Sequence, residues 1–496
     1  MKAVIKIGLF IVATNFYLFA QTNCSGKIYD YEQHLEGYKS ILKLPDNTYL
    51  AGGSSWNYSL GYYHMLLSRL NACGDTIWSK NYGQVDEGFI DSRSCLIDEH
   101  TFANVATYFN YSISNDHSAY FVAKFNLFGD TIWTKQYAFL PNYIHAPKSI
   151  IKTLDGGFAI LGFYYPPPSG AAQVWLVKTD SLGVLQWQRS YGNADEVEAG
   201  MNLLQTPDGG YIIGAYKYVD NVTSKVWVIK ADSLGNLENS FLYGNPYFTR
   251  SMSLSAMPDG YLLGGIQYPD NGTFTFGQGY LLKINLDGTE QWHKTYKGAT
   301  DMAFYRILPL PDGNIMVGGS GGYTNGSLDI EGLLYKMTAS GDSLWARTYL
   351  YDSLAVHDYF FYIEHAPDGG FMCVGFADVS GTPDGQDAWV VRTDSLGNAC
   401  EVSGCNSVGI AAPPPPNSTP PNIIYPNPAS GVAYATAMPL GSELRLYDLR
   451  GVLQFQSSIF EASVISLPPL ASGIYIAHIC TPDGNINTQK IVISNQ

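Results

Sequence analysis

One spacing constrains this chain more than any other. Seven times an apolar stretch ends in Lys or Arg, with Asp, Asn or Thr two residues on and Gly three after that. The segments are RLNACG, KFNLFG, KTDSLG, KADSLG, KINLDG, KMTASG and RTDSLG, and their glycines are Gly74, Gly129, Gly183, Gly235, Gly288, Gly341 and Gly397. Self-similarity at such a period is the mark of a repeat architecture, in which each unit buries its apolar face against its neighbours.

Each unit reads as four strands. In the third, IIKTL is followed by Asp155-Gly156-Gly157, FAILGFY, a loop, VWLVK, Asp180-Ser181-Leu182-Gly183 and VLQWQRSYG. Asp-Gly between β-rich runs predicts a tight hairpin, because the turn needs positive φ. Asp46, Asp98, Asp155, Asp208, Asp259, Asp312 and Asp368 mark this first turn in all seven units. The second turn has type I chemistry, and neither turn alone offers enough oxygens for calcium. The fourth strand carries Trp, Lys or Arg two later, and Tyr four later, as in Trp78/Lys80/Tyr82, Trp133/Lys135/Tyr137, Trp187/Arg189/Tyr191, Trp292/Lys294/Tyr296 and Trp345/Arg347/Tyr349. Positions i, i+2 and i+4 share one face of a strand, so the cationic stem should lie between two rings. Unit four has Asn239 in the Trp slot and should pack most loosely.

The ends of the array decide between an open solenoid and a closed ring. Unit seven stops near Cys405 without its fourth strand, whereas Lys27 and Tyr29 precede unit one as Arg189 and Tyr191 precede Asp208. The N-terminal segment should therefore complete the last sheet, which covers edges that would otherwise stay open. The expected fold is all-β: a seven-bladed β-propeller of four-stranded blades over residues 21–405. Cys24 and Cys400 each fall one position before the Trp slot and form a candidate disulfide across the seam, with Cys405 in competition.

Lys2 and Lys6 precede an apolar run from Ile7 to Ala20, the pattern of a signal peptide over residues 1–20. That run is too short to span a bilayer, and no later segment is long and apolar enough. Residues 406–422 contain four consecutive prolines and read as an extended spacer. From 423 to 496 short strands with Gly and Pro turns suggest a small Ig-like β-sandwich. A formal charge of -15 with no Lys/Arg cluster excludes a nucleic-acid partner.

The C-terminal segment closely resembles the type A sorting domain of type IX secretion cargo in Gram-negative bacteria. The matching residues are Tyr425, Pro426, Asn427, Pro428 and Gly431, then Leu446-Tyr447-Asp448 with Gly451, then LASGIY with Gly473 and Tyr475, then Lys490-Ile491-Val492. The resemblance implies export, the type IX machinery as a partner, and release or attachment at the outer cell surface.

No nucleophile elbow, HExxH, P-loop or dinucleotide fingerprint is present, and no cofactor or metal is expected. The Gly-turn-Trp pattern is similar to that of quinone-dependent dehydrogenase propellers. Those usually have eight blades and an adjacent Cys pair, and this chain has neither. In a meander blade both hairpin turns lie on one face, while the second-to-third-strand loops and the crossings lie opposite. The second face collects Trp56, Tyr164, Tyr165, Tyr216 and Tyr268, with Asp86, Glu87, Asp195 and Glu196 on crossings. Binding residues concentrate on such loops. The expectation is a non-catalytic binding or structural protein with a glycan or protein ligand. The alternative is a hydrolase or lyase that uses loop carboxylates as acid and base.

Overall fold

The middle strands of each unit are apolar on both faces, and this dictates the packing. In the third unit Phe158–Tyr165 and Gln173–Thr179 are buried almost throughout, while the outer strand Leu185–Tyr191 is largely exposed. A sheet buried on both sides must be sandwiched between neighbours, so the units stack face to face rather than sharing one core. The computed structural model describes residues 19–22, 26–29, 35–57, 61–84, 86–111, 118–140, 143–166, 170–193, 195–220, 223–244, 248–268, 276–298, 300–322, 330–351, 357–378 and 385–399. In the C-terminal unit it describes 424–430, 432–435, 443–448, 452–458, 464–466, 468, 470–480 and 486–493.

Seven antiparallel sheets follow one another. Their inner strands are Leu35–Lys43, Glu87–Leu96, Ile144–Lys152, Glu198–Gln205, Thr249–Met257, Ala303–Pro309 and Asp358–His365. Each inner strand touches the next, and the seventh touches the first, so the row is a closed ring. The last sheet is completed by Lys27–Tyr29, which pairs antiparallel to Gln386–Thr393 with Ile28 opposite Trp389. The sequence's seam is where it was expected. Phe19–Thr22 adds a further strand, parallel to Ser343–Tyr349, at the outer edge of the sixth sheet.

The core consists of seven inter-blade layers. Between blades two and three, for example, Val105, Tyr120 and Val122 meet Ile150, Phe158, Ile160 and Trp175. The layer that closes the ring sets Tyr29, Met372, Val374 and Val390 against Tyr38, Tyr49, Ala51 and Leu66.

The repeated residues act between blades. The fourth-strand tyrosine donates its hydroxyl proton to the carbonyl of the motif glycine in the next blade. Tyr82 reaches Gly129 at 2.6 Å, Tyr137 reaches Gly183 at 2.6 Å, Tyr191 reaches Gly235 at 2.7 Å, Tyr296 reaches Gly341 at 2.6 Å and Tyr349 reaches Gly397 at 2.6 Å. Tyr243 bonds Gly288, and Tyr29 on the closing strand bonds Gly74. The lysine beside it grips the residue after that glycine: Lys80 to Asp130 at 3.0 Å, Lys294 to Asp342 at 2.6 Å, and Lys27 to Asp75 across the seam. The motif glycine is fixed twice over. Gly235 has φ +74°, and a Cβ there would stand 2.5 Å from Trp187. The tryptophans are half-buried, so each contributes less than the about 2–3 kcal/mol of a fully buried side chain. In unit four Phe241 takes over, and a Cβ on Gly288 would meet its ring at 2.2 Å.

The first-turn aspartates are satisfied within their own blades. Arg69 bonds Asp46 at 2.5 Å, Lys178 bonds Asp155 at 2.7 Å, Lys336 bonds Asp312 at 3.3 Å and Arg392 bonds Asp368 at 2.5 Å. These acids are turn residues held by the motif's own cation.

The C-terminal unit, Pro413–Gln496, is a separate body of short strands. Their order is Leu453–Ser458, Glu443–Asp448, Gly473–Cys480, Ile486–Ile493, Ile424–Ser430, Val432–Ala435, Val464–Ser466. Leu444, Leu446 and Ala477 are fully buried, and Tyr475 donates to the carbonyl of Ala471 at 2.8 Å. Pro426, Asn427 and Pro428 lie on Ile424–Ser430, Gly473 opens its strand, and Lys490 pairs with Ile476. Gly431 and Gly451 lie outside the described residues.

Candidate binding site in the central cavity

Every inner strand breaks register once, at the same place. The ladder skips Lys39, Lys148, Met201, Met252, Tyr305 and Phe361, and in unit two it skips Asp91 with Ser92. A β-bulge re-aims a side chain and bends its strand. Here all seven bulged positions line one cavity of about 410 Å³ at the ring's centre, joined by Arg93, Asn202, Arg306 and Tyr362. In five units the neighbouring strand makes room for the bulge with a glycine. A Cβ on Gly53, Gly162, Gly265, Gly319 or Gly375 would come within 2.1 Å of the inner strand's carbonyl oxygen.

The cavity is asymmetric. Blades one to three contribute Lys39, Asp91, Arg93 and Lys148, while blades four to seven contribute Met201, Met252, Tyr305, Arg306, Phe361 and Tyr362. Asp91 has φ +60°, a left-handed conformation that non-glycine residues adopt at a cost. It bonds Lys148, and both side chains are largely covered, at 25% and 17% exposed. Burial alone would raise its pKa, but Lys148 and Arg93 outweigh that and hold it at about 2. Burial lowers Lys39 to about 8, with Asp91 opposing and Arg93 and Lys148 adding to the shift. Burial also lowers Arg93. The Lys39 ammonium sits 3.5 Å from the centre of the Phe361 ring, and the Arg306 guanidinium 4.3 Å from that of Tyr362. Arg306 Nε is buried without a hydrogen-bond partner among the described residues.

Of the residues singled out from sequence, Tyr165, Tyr216 and Tyr268 come together, grouped around Arg250. Its guanidinium lies 4.8 Å from the Tyr216 ring and 4.3 Å from Phe248, and bonds the Tyr218 hydroxyl. Tyr268 flanks Phe248 at 5.6 Å, and both Tyr165 and Tyr268 feel the Arg250 charge. Two others are packing residues. Tyr164 is 4% exposed and stacks on Phe139 at 4.4 Å, and Trp56 packs edge-on against Tyr63 at 4.6 Å.

Two of the four crossing acids, Glu87 and Glu196, bond to the scaffold. The backbone N–H two residues past the fourth-strand tyrosine donates to an acceptor at the start of the inner strand. Gln84 reaches Glu87 at 3.2 Å, Phe139 reaches His145 at 2.9 Å, Asn193 reaches Glu198 at 3.3 Å and Tyr351 reaches Asp358 at 2.9 Å. Glu196 takes a bond from Asn193 Nδ2 at 2.6 Å and pairs with Lys217. Asp86 and Asp195 are exposed. Four of these acceptors therefore tie crossing loops to the ring. Cys24 and Cys400 lie outside the described residues. Cys73 is disulfide-bonded, while Cys95 and Cys373 are free.

Sequence reasoning missed the cavity residues. Their signal was the glycine in the middle of the second strand, as in AGGS, ILGF, LGGI, VGGS and VGFA, which marks a bulge or a close backbone approach.

A comparison with curated proteins found no match. Among solved structures the chain is similar to PorZ, described as an essential bacterial surface component of the type-IX secretion system of Porphyromonas gingivalis, at 11% identity and TM-score 0.42. The match covers 92% of this chain and 59% of that one. It is also similar to a puromycin hydrolase, at 10% identity and TM-score 0.45, covering 96% of this chain and 63% of that one. The β-propeller domain of the Trilobed protease from Pyrococcus furiosus, described as having an open velcro topology, matches at 9% identity and TM-score 0.36, covering 72% of this chain and 93% of that one. The chain thus spans less than two thirds of the first two, and likeness at this level says nothing of ligand or activity. The C-terminal unit is different: residues 423–494 match the family described as the secretion system C-terminal sorting domain, and this part of the chain belongs to it.

Proposed function

We propose that the chain is an exported binding protein, carried out by a leader over residues 1–20 and passed to the type IX machinery by its sorting domain. The propeller of residues 21–405 is the working part, the spacer 406–422 separates it from the sorting domain, and the product is secreted or held at the outer cell surface. Its ligand meets the propeller on the loop face, over the Arg250 aromatic group and the mouth of the cavity.

One observation carries this reading. Scaffold positions repeat the same residue types from blade to blade, yet the seven bulged positions hold Lys, Asp, Lys, Met, Met, Tyr and Phe. Blade packing requires no such variety, and a rigid scaffold that diversifies one ring has made a recognition surface. The test is a glycan and matrix-protein array probed with the full chain and with an Arg250→Ala/Tyr216→Ala/Tyr268→Ala variant. Selective binding lost in the folded variant supports the reading. Hydrolysis or cleavage of an array substrate by the wild type, abolished by Glu87→Gln or Glu196→Gln, would replace it with the enzymatic alternative.

A further inference from the structure

We propose that the central cavity binds a small organic oxyanion, its carboxylate or sulfate seated among Lys39, Arg93, Lys148 and Arg306 and its body on Met201, Met252 and Tyr305. This rests on the binding reading above and narrows its ligand class.

The argument starts from charge. The chain is acidic overall, at -15. The cavity lining inverts that sign, with two lysines and two arginines against the single acid Asp91. Asp91 is already committed to Lys148. Lys39 and Arg306 are left with aromatic faces, and Arg306 keeps a buried, unpartnered Nε. Crowding four half-buried cations around one cavity is costly unless a counter-charge joins them. Ring closure alone does not call for them, because three other blades place Met or Phe at the same bulge. The strained backbone of Asp91 fits the same picture, since strain that persists at a cavity wall holds a side chain in place there.

The cavity also has an apolar side. Met201 and Leu203 on blade four and Met252 and Leu254 on blade five make this side, with the Tyr305 ring next to Arg306 at its edge. An inorganic anion would leave this side unused, whereas a sugar acid or an aromatic acid would cover it. Arginine and lysine differ here as they do elsewhere: Arg93 and Arg306 offer planar forks for bidentate contact, and Lys39 and Lys148 offer point charges.

The experiment is calorimetric titration of the full chain with sodium glucuronate, sodium sulfate and glucose at constant ionic strength. Glucuronate is expected to bind, sulfate to bind more weakly, and glucose not to bind. Arg306→Gln and Lys39→Met, each checked by melting and circular dichroism, are expected to weaken glucuronate at least about tenfold. Lys297→Gln, at an exposed site, should leave it unchanged. A second readout is proton uptake on binding at pH 8.5, because an anion beside Lys39 raises its depressed pKa. Lys39→Met should abolish that uptake even if it binds. Glucose binding equal to glucuronate, unchanged affinity in both folded cavity variants, or no anion binding at about 10 mM would each overturn the proposal. Array binding that survives such a result would leave the broader reading intact, and loss of both would remove both.

Discussion

Replacing Gly235 and Gly156 by Ala should separate what a turn needs from what the ring needs. Both glycines have positive φ, +74° and +82°. Putting an L side chain there costs about 1–2 kcal/mol, offset by about 0.4–1 kcal/mol from the stiffer unfolded chain. A Cβ on Gly156 meets nothing within 4 Å, so Gly156→Ala should cost about 1 kcal/mol. A Cβ on Gly235 falls 2.5 Å from Trp187 Cζ3 and 2.8 Å from Arg189 Cγ. That indole cannot swing away freely, because Tyr211 packs at 5.8 Å and Arg189 lies over it at 5.6 Å. Overpacking adds about 1–3 kcal/mol, and displacing the turn also weakens the Tyr191 bond to Gly235, worth about 1 kcal/mol. Gly235→Ala should therefore cost about 2–5 kcal/mol and lower the melting midpoint several degrees more than Gly156→Ala. Adding Trp187→Leu should recover part of the loss if the indole is the obstacle. Equal midpoints for the two glycine variants, or no coupling to position 187, would refute the inter-blade account.

Tyr349→Phe removes the proton donated to Gly397 at 2.6 Å and leaves a buried carbonyl unpaired, so urea titration should show a loss of about 1–3 kcal/mol. Asp358 is fully buried, and burial raises its pKa to about 7 against an unfolded value near 3.8. The folded state thus holds a proton that the unfolded state has released, so stability falls as pH rises from about 4 to about 7. Asp358→Asn should flatten the urea midpoint across that window, lying below wild type by a hydrogen bond's worth near pH 4 and above it near pH 7. Cys73 is disulfide-bonded, and its carbonyl accepts from Lys27 Nζ at 3.0 Å, three residues after Cys24. Non-reducing digestion with mass spectrometry is expected to join the Cys24 and Cys73 peptides, and a Cys24–Cys400 link would restore the seam pairing suggested by the sequence.

The ring was legible because its determinants are local and repeated. A Gly turn with its cation announces itself seven times and a Tyr eight residues after it six times, and the displaced Lys27 and Tyr29 supply the seventh and reveal closure. The partners of those residues were not legible, since Tyr349 and Gly397 meet only when two blades stack. The functional residues were hidden for a different reason. A strand's two-residue alternation assigns Lys39 or Lys148 to a face only if register is continuous, and every inner strand breaks it at the residue that matters. Glu87, one of the acids on the crossings, shows the same logic in reverse. It has the look of a loop carboxylate, but its place at the head of an inner strand makes it the acceptor for Gln84. Irregularity is thus the informative feature of this fold: where the seven units agree the residues build the ring, and where a bulge lets them differ they face what the ring encloses.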